Sequence, residues 1–257
     1  MTSLAKAIGG EKRDIGGPFG SKLTQRDYAE AGVPVIRGGN MQQDGRWVGG
    51  DFAYVSEEKY RRDLKPNTAR PGDIIVTQRG TLGQVSIVPE HGAHAEYVVS
   101  QSQMAVRVDE TEASRDFVYY FLTSPIFDDY VEKATIQTGV PHINLGILRD
   151  VRVDWPDIKT QVEIARVLAS LDDKIELNRR MNETLEEMAR ALFRDWFVDF
   201  GPTRRQTEGA TDPAAIMGRA FPSEKAATLA PLFPAKLGDD GLPERWSKQP
   251  GGELAEV

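Results

Sequence analysis

The stretch PDIKTQVEIARVLASLDDKIELNRRMNETLEEMARALFRDWFVDF, Pro156 to Phe200, decides how the rest of the chain is read. Apolar or small residues return at alternating steps of three and four, together with two amides: Leu168, Leu171, Ile175, Asn178, Asn182, Leu185, Ala189, Leu192 and Trp196. That spacing is the seam of a long helix that lies against another long helix. About 40 residues rising ~1.5 Å each make a rod of roughly 60 Å. Asn178 and Asn182 fall in the seam, where an amide costs stability but fixes register and partner number. Phe193, Trp196, Phe197 and Phe200 crowd the last two turns, and such an aromatic cluster predicts a docking surface.

Ahead of the rod, residues 1–155 read as a β-rich domain with some helix, so the fold class is α+β. VPVIRGGNM (Val33 to Met41) is a strand that stops at Gly38-Gly39 and carries Arg37 and Asn40 at its end. SEEKYRRDL opens a short helix with Ser56 as its cap and Glu57 and Glu58 in the first turn. The clearest hairpin is DIIVTQRGTLGQVSIVP, in which Ile74 to Thr77 and Gln84 to Val88 flank a turn that presents Arg79. Tyr97 to Val99 and Met104 to Val108 read as a further strand pair around Ser100-Gln101-Ser102-Gln103. A helical stretch follows, interrupted near Pro125, and a last strand at Val151 to Val153. Beyond the rod, residues 201–241 are rich in Gly, Pro and Ala and read as a loosely ordered connection, with Phe221, Leu232 and Phe233 as docking points. Residues 242–257 read as the opening of something further.

Composition narrows the chemistry. The 257 residues include no cysteine, which excludes disulfides and cysteine-based zinc sites or nucleophiles. His91, His94 and His142 are the only histidines, too few for a histidine metal cage. There is no apolar run near 18 residues and no signal-peptide stretch at the start, so the chain is expected in the cytoplasm with no membrane contact. The net charge of -7 does not decide against a nucleic-acid partner, because binding follows how basic residues cluster rather than their sum. Lys59, Arg61, Arg62, Lys65 and Arg70 are such a cluster. No glycine loop for S-adenosylmethionine, no methyltransferase tetrapeptide and no Walker loop is found. The sequence points to recognition rather than catalysis.

GPFGSKLTQRDYAEAGVPVIRGGNM (Gly17 to Met41), PGDIIVTQRGTLGQVSIVP (Pro71 to Pro89), VVSQSQMAVRV (Val98 to Val108) and the rod together resemble the specificity subunit of type I restriction and modification enzymes. In the rod the resemblance rests on Gln161, Ile164-Ala165, Leu168, Leu171-Asp172, Lys174-Ile175 and Asn178, then Leu192-Phe193 and Trp196 to Phe200. Trp155-Pro156-Asp157-Ile158 stands where the family usually has a double proline. The resemblance implies a target recognition domain at 1–155, a spacer helix at 156–200, a linker at 201–241 and the truncated start of a second recognition domain at 242–257. It implies a half-length, non-catalytic subunit that reads half of a split site on double-stranded DNA. Methyltransferase subunits would bind S-adenosylmethionine, a restriction and translocase subunit could join them, and no cofactor is expected on this chain.

Within that reading, Arg37, Asn40, Arg79, Gln101 and Gln103 are candidates for base edges, and Lys59, Arg61, Arg62 and Lys65 for phosphates. Leu168, Leu171, Ile175, Asn178, Asn182, Leu185 and Leu192 would pair two copies through the long helix. Phe193, Trp196, Phe197 and Phe200 would dock a partner subunit. The alternative is a coiled-coil scaffold whose globular part binds no DNA.

Overall fold

A computed structural model of the chain describes residues 2–7, 14–18, 22–41, 45–80, 83–138, 143–218 and 221–248. Thr81-Leu82 of the hairpin turn, His142 and the last nine residues therefore lie outside the described residues. The chain divides into two compact units, Met1–Glu176 and Leu177–Val257.

The first unit is built on eleven short strands among the described residues: β1 (Thr2–Ser3), β2 (Asp14–Gly16), β3 (Tyr28–Ala29), β4 (Val33–Ile36), β5 (Ala53–Val55), β6 (Thr68–Ala69), β7 (Ile74–Thr77), β8 (Val85–Ile87), β9 (Tyr97–Val99), β10 (Gln103–Val106) and β11 (Arg152–Val153). Its helices are α1 (Leu4–Ala7), α2 (Glu57–Lys59), α3 (Arg115–Leu122), α4 (Pro125–Thr138) and α5 (Leu145–Asp150), and α6 (Ile158–Phe193) starts here. One sheet has the order β2-β10-β7-β8 and is antiparallel throughout. A second has the order β3-β5-β4-β9-β6, antiparallel except for the parallel pair β4 and β9. β1 pairs with β11, bringing the start of the unit beside the entry to α6.

Side-chain alternation along the strands fills two cores at once. Ile74 and Val76 of β7, with Met104 and Val106 of β10, pack under Val118, Leu122, Phe127 and Leu148 of the helices. Ile75 and Ala105 point the other way, onto Ile36, Tyr97 and Val99 of the second sheet. The outer face of that sheet, Val33, Val35, Val55 and Val98, is closed by Tyr60 and Leu64 in the turn after α2. Strands buried on both faces have to read as unbroken apolar runs, as β7 does.

The expected hairpin is present, with Ile74 opposite Ile87 and Val76 opposite Val85. Ser56 caps α2 as expected, its hydroxyl accepting from the Lys59 amide at 3.2 Å. The expected strand pair at Tyr97–Val99 and Met104–Val108 is corrected: β9 and β10 belong to different sheets. The turn between them, Ser100 to Ser102, is a corner that carries the chain from one layer to the other.

The Lys59 ammonium sits between Asp27 at 3.1 Å and Asp63 at 3.0 Å. Thr24 hydroxyl and backbone hydrogen bonds, helped by Lys59, hold the Asp27 carboxyl down at about 2. A depressed folded-state value means that the unfolded chain takes up the proton first on acidification. The contribution is therefore complete above the ordinary value of 3.8 and is lost as pH falls toward 2. Denaturant melts at pH 5 and pH 3 are expected to show a smaller loss of stability for Asp27→Asn than for the parent chain.

The second unit begins inside α6. A π-helical turn over Arg194–Val198 follows, and Phe200, left-handed with φ 53, turns the chain out of the helix. The chain continues as α7 (Gly201–Thr207), α8 (Pro213–Met217) and α9 (Ser223–Leu229). Arg205 holds the fold together: its guanidinium donates to both oxygens of Asp195 at 3.1 and 2.8 Å and to the Ile216 carbonyl at 2.7 Å. Ile216, Met217, Ala226 and Ala230 form a small core against Trp196, Phe221 and Phe233. The loosely ordered connection expected over 201–241 is thus a helical unit, whose short helices are held by packing rather than by intrinsic propensity. No helix among the described residues is long and apolar enough to cross a membrane.

Candidate nucleic-acid interface

Three strand ends meet at one edge of the first unit. Ile36 at the end of β4 lies opposite Val99 of β9, and its carbonyl accepts from the Ser100 amide at 3.1 Å. Across the Ser100–Ser102 corner, the amides of Gln78 and Arg79, just past β7, donate to the Ser102 carbonyl at 2.8 and 3.3 Å. The Gln78 side-chain amide donates to the Gln101 carbonyl at 2.7 Å and ties the corner to the hairpin turn. The cluster thus gathers Arg37, Arg79 and Gln101 from three separate stretches. Gly80 and Gly83 in the hairpin turn have φ of 93 and 86, a region where a side chain would be strained.

The structure sorts the expected base readers into two groups. Arg37 and Arg79 are exposed, and Arg37 stands over the Tyr28 ring with 5.8 Å between guanidinium carbon and ring centroid. Gln101 is also exposed and donates to the Leu23 carbonyl at 3.0 Å. Asn40 is buried: its amide donates to the carbonyls of Gly49 and Asp51 at 3.1 and 2.9 Å, and its oxygen accepts from the Arg37 amide at 3.0 Å. Gln103 is buried as well, accepting the Ser100 hydroxyl. These two amides shape the loops that present Arg37 and Gln101, so their expected place at a base edge is corrected to a supporting one. An unpaired amide at such depth would be costly, and each is spent on its own backbone and neighbours.

Among the expected phosphate residues, Lys59 is held by Asp27 and Asp63, with its side chain 14% exposed. Arg61 faces Glu57 and Arg62 faces Glu58, both at helical i,i+4 spacing and in solvent. Exposed pairs of that kind are worth less than about 1 kcal/mol, so either arginine can exchange its carboxylate for a phosphate. Lys65 is exposed. Asp27 and Tyr28, adjacent in the chain, touch Lys59 and Arg37 respectively, which links the basic turn to the strand-end cluster.

Sequence reasoning overlooked Gln78 and Gln84, which flank the hairpin turn symmetrically. Gln84 accepts from the Thr77 hydroxyl at 3.2 Å and donates to the Met41 carbonyl at 3.4 Å. It also overlooked Arg46 and Tyr120, which meet Asp172 and Asp173 of α6. Among the described residues no group of three or more His, Asp or Glu side chains is placed to hold a metal ion. His94 packs edge-on against Phe52, Tyr54 and Tyr97.

The seam of α6 is open. Leu171, Ile175 and Leu185 are each about half exposed, at 49, 48 and 58%, and Asn178 and Asn182 are exposed between them. Leu168 and Leu192 are partly covered. The aromatic end of the helix behaves differently from expectation. Trp196 packs against Phe221 and Phe233 at 5.4 and 5.6 Å, and Phe200 meets Trp246 at 5.7 Å. Those two rings are covered by the unit's own chain, while Phe193 and Phe197 remain exposed.

The first unit is thus a two-sheet platform that gathers loop side chains at one edge and leads into a long helix with an open apolar seam. The family model for the type I restriction modification DNA specificity domain matches residues 17–187, and the chain belongs to that family. It is 36% identical over 122 residues to the type I restriction enzyme HindI specificity subunit of Haemophilus influenzae, covering 47% of this chain and 27% of that protein. It is 27% identical over 162 residues to the MjaIX specificity subunit of Methanocaldococcus jannaschii, covering 61% of this chain and 36% of that protein. The chain thus spans about a third or less of the length of these curated relatives. Among solved structures it is similar to the HsdS subunit from Thermoanaerobacter tengcongensis, with TM-score 0.45 at 15% identity over 74% of this chain and 43% of that one. The S subunit from M. genitalium gives TM-score 0.48 at 16% identity, over 74 and 44%.

Proposed function

We propose that this chain is a sequence-specific DNA-binding specificity subunit, or part of one, that directs methyltransferase and restriction subunits to a split site and carries no catalysis itself. The observation that supports this best is the convergence of Arg37, Arg79 and Gln101 on one edge of the two-sheet unit in a chain of this family. Guanidinium and amide groups on loops of fixed geometry suit the donor and acceptor pattern of base edges in the major groove. Arg61, Arg62 and Lys65 supply exchangeable cations for phosphates, which set register rather than sequence.

Residues 1–155 are the recognition domain in this reading and 156–200 the spacer. The open seam pairs with the same seam of a second copy, an antiparallel homodimer that reads a symmetric split site. Covering Leu171, Ile175 and Leu185 would gain roughly 1 kcal/mol or more each, because about half of each side chain is still in water. Phe193 and Phe197 are the exposed part of the aromatic end and offer the docking point for a methyltransferase subunit.

Fluorescence titration of the chain with mixed-sequence duplex at two salt concentrations tests the DNA reading. The expected result is binding that weakens steeply with salt. Affinity absent at both would return the chain to the scaffold alternative. Sedimentation of the same sample is expected to show a dimer, and a stable monomer at micromolar concentration would remove the homodimer.

A further inference from the structure

Helix α6 is fastened to the first unit at two separated places. The first is at its beginning: the Gln161 side chain, buried, accepts from the Ser114 amide at 3.0 Å and donates to the Pro156 carbonyl at 2.9 Å, with Ala165 buried one turn on. The second lies further along. The Tyr120 hydroxyl, on α3, donates to Asp172 at 2.7 Å, and the Arg46 guanidinium donates to Asp173 at 3.1 Å. Arg46 also reaches the Tyr120 oxygen at 3.4 Å and lies 4.7 Å over the Trp47 ring, so its side chain is only 11% exposed although Asp173 is in solvent.

The Arg46 end of this contact is not a loose surface arm. Its carbonyl accepts from the Ile87 amide at 2.8 Å, and the Val48 amide donates to the Ile87 carbonyl at 2.9 Å. Residues 46–48 are thereby laid along β8, the strand that leaves the hairpin turn carrying Arg79. The Tyr120 ring packs against the helical core, and burial followed by the Asp172 carboxylate pushes its hydroxyl up, so the proton stays on the phenol as donor.

A helix held at one point can swing; a second hold removes that freedom. From residue 161 to 172 is about 11 residues, roughly 16 Å along the axis, and the helix continues for about 21 more, roughly 32 Å. A slip of ~1 Å at Asp172 over that ~16 Å lever tilts the helix axis by about 4° where it leaves the first unit. We infer that Arg46, Tyr120, Asp172 and Asp173 form a clasp that fixes the angle of the spacer helix on the recognition domain and so sets which half-site separation the protein accepts. They are positioning residues that touch no base, and the inference rests on the DNA-reading function proposed above.

The test uses the full chain with Tyr120→Phe combined with Asp173→Asn, and separately Arg46→Met. Because the chain has no cysteine, Glu110→Cys with Lys174→Cys, both exposed, gives a unique spin-label pair with one label on the body of the first unit and one on α6. The parent is expected to give one narrow distance distribution and both variants a visibly broadened one. On duplexes whose two half-sites are moved apart one base pair at a time, the parent is expected to favour its best spacing over its neighbours by about tenfold. The variants are expected to favour it by less than threefold while binding a single half-site within twofold of the parent. An unchanged distance distribution would overturn the clasp, and a broadened one with an unchanged spacing profile would overturn its role in selection. If the parent bound no half-site at all, the proposed function would be at fault, and the distance distribution would still decide whether the clasp exists.

Discussion

Asp73→Ala is expected to lower the unfolding free energy by about 3 kcal/mol, the size seen when one partner of a buried ion pair is removed. Asp73 opens β7, is 1% exposed, and accepts from the Arg107 guanidinium at 2.7 and 2.6 Å and from the Arg70 amide at 2.8 Å. Truncation leaves the Arg70 amide without its carboxylate and Arg107 without its counter-charge at the edge of the central sheet. The loss falls toward the lower end of the range because the Arg107 side chain, 36% exposed, can turn to water. Asp73→Asn keeps an acceptor for Arg70 and is expected to lose less. Urea melts with an unchanged slope and a lowered midpoint would show it, whereas a loss below about 1 kcal/mol would mean that this pair does not help to hold β7 on β10.

The second large effect concerns binding. Arg37→Ala and Arg79→Ala are each expected to weaken binding to the preferred half-site by about 10- to 100-fold, as a lost bidentate contact of 1–3 kcal/mol would. Lys65→Ala is expected to weaken all duplexes alike and to reduce the salt slope by about 1. This contrast separates readers from phosphate holders, since only the first should change the ratio between the preferred duplex and one with a substituted base pair. Titrations of the three variants on both duplexes measure it. Arginine variants that keep the parental ratio would move the reading surface elsewhere on the unit.

Much of the fold is legible in local sequence because local chemistry decides it. The Ser56 cap, the β7 and β8 hairpin around its glycine turn, the break before Pro125 and the long helix from Ile158 all follow from signals within a few residues of each other. Partner choice between strands is not local. Val98 and Val99 are apolar enough to pair with β10, but the Ser100–Ser102 corner sends them to β4 instead. The helices at 201–229 were hidden for a similar reason. They are too short to hold as helices on their own, even where alanines favour them, and their order comes from Trp196 and the Arg205 hold on Asp195.

The candidate site was legible as a set of strand ends and not as a set of side chains. Arg37, Arg79 and Gln101 are exposed on the strand end, hairpin turn and inter-strand loop that the sequence predicts for them, but their meeting at one edge is seen only in the fold. Asn40 and Gln103 carry the same functional groups as a reader but turn inward, and a sequence does not distinguish an amide that binds its own backbone from one that waits for a ligand. Arg46 gave no signal, because its partners lie about 74 and 127 residues away in the chain.

Selection from a pool of randomised duplexes, run in parallel with the parent chain and with Arg79→Ala, tests most directly whether the strand-end cluster reads DNA. The account predicts that the parent enriches one short motif and that Arg79→Ala enriches the same motif with at least one position relaxed. No enriched motif from the parent, or an identical motif from both, would contradict it.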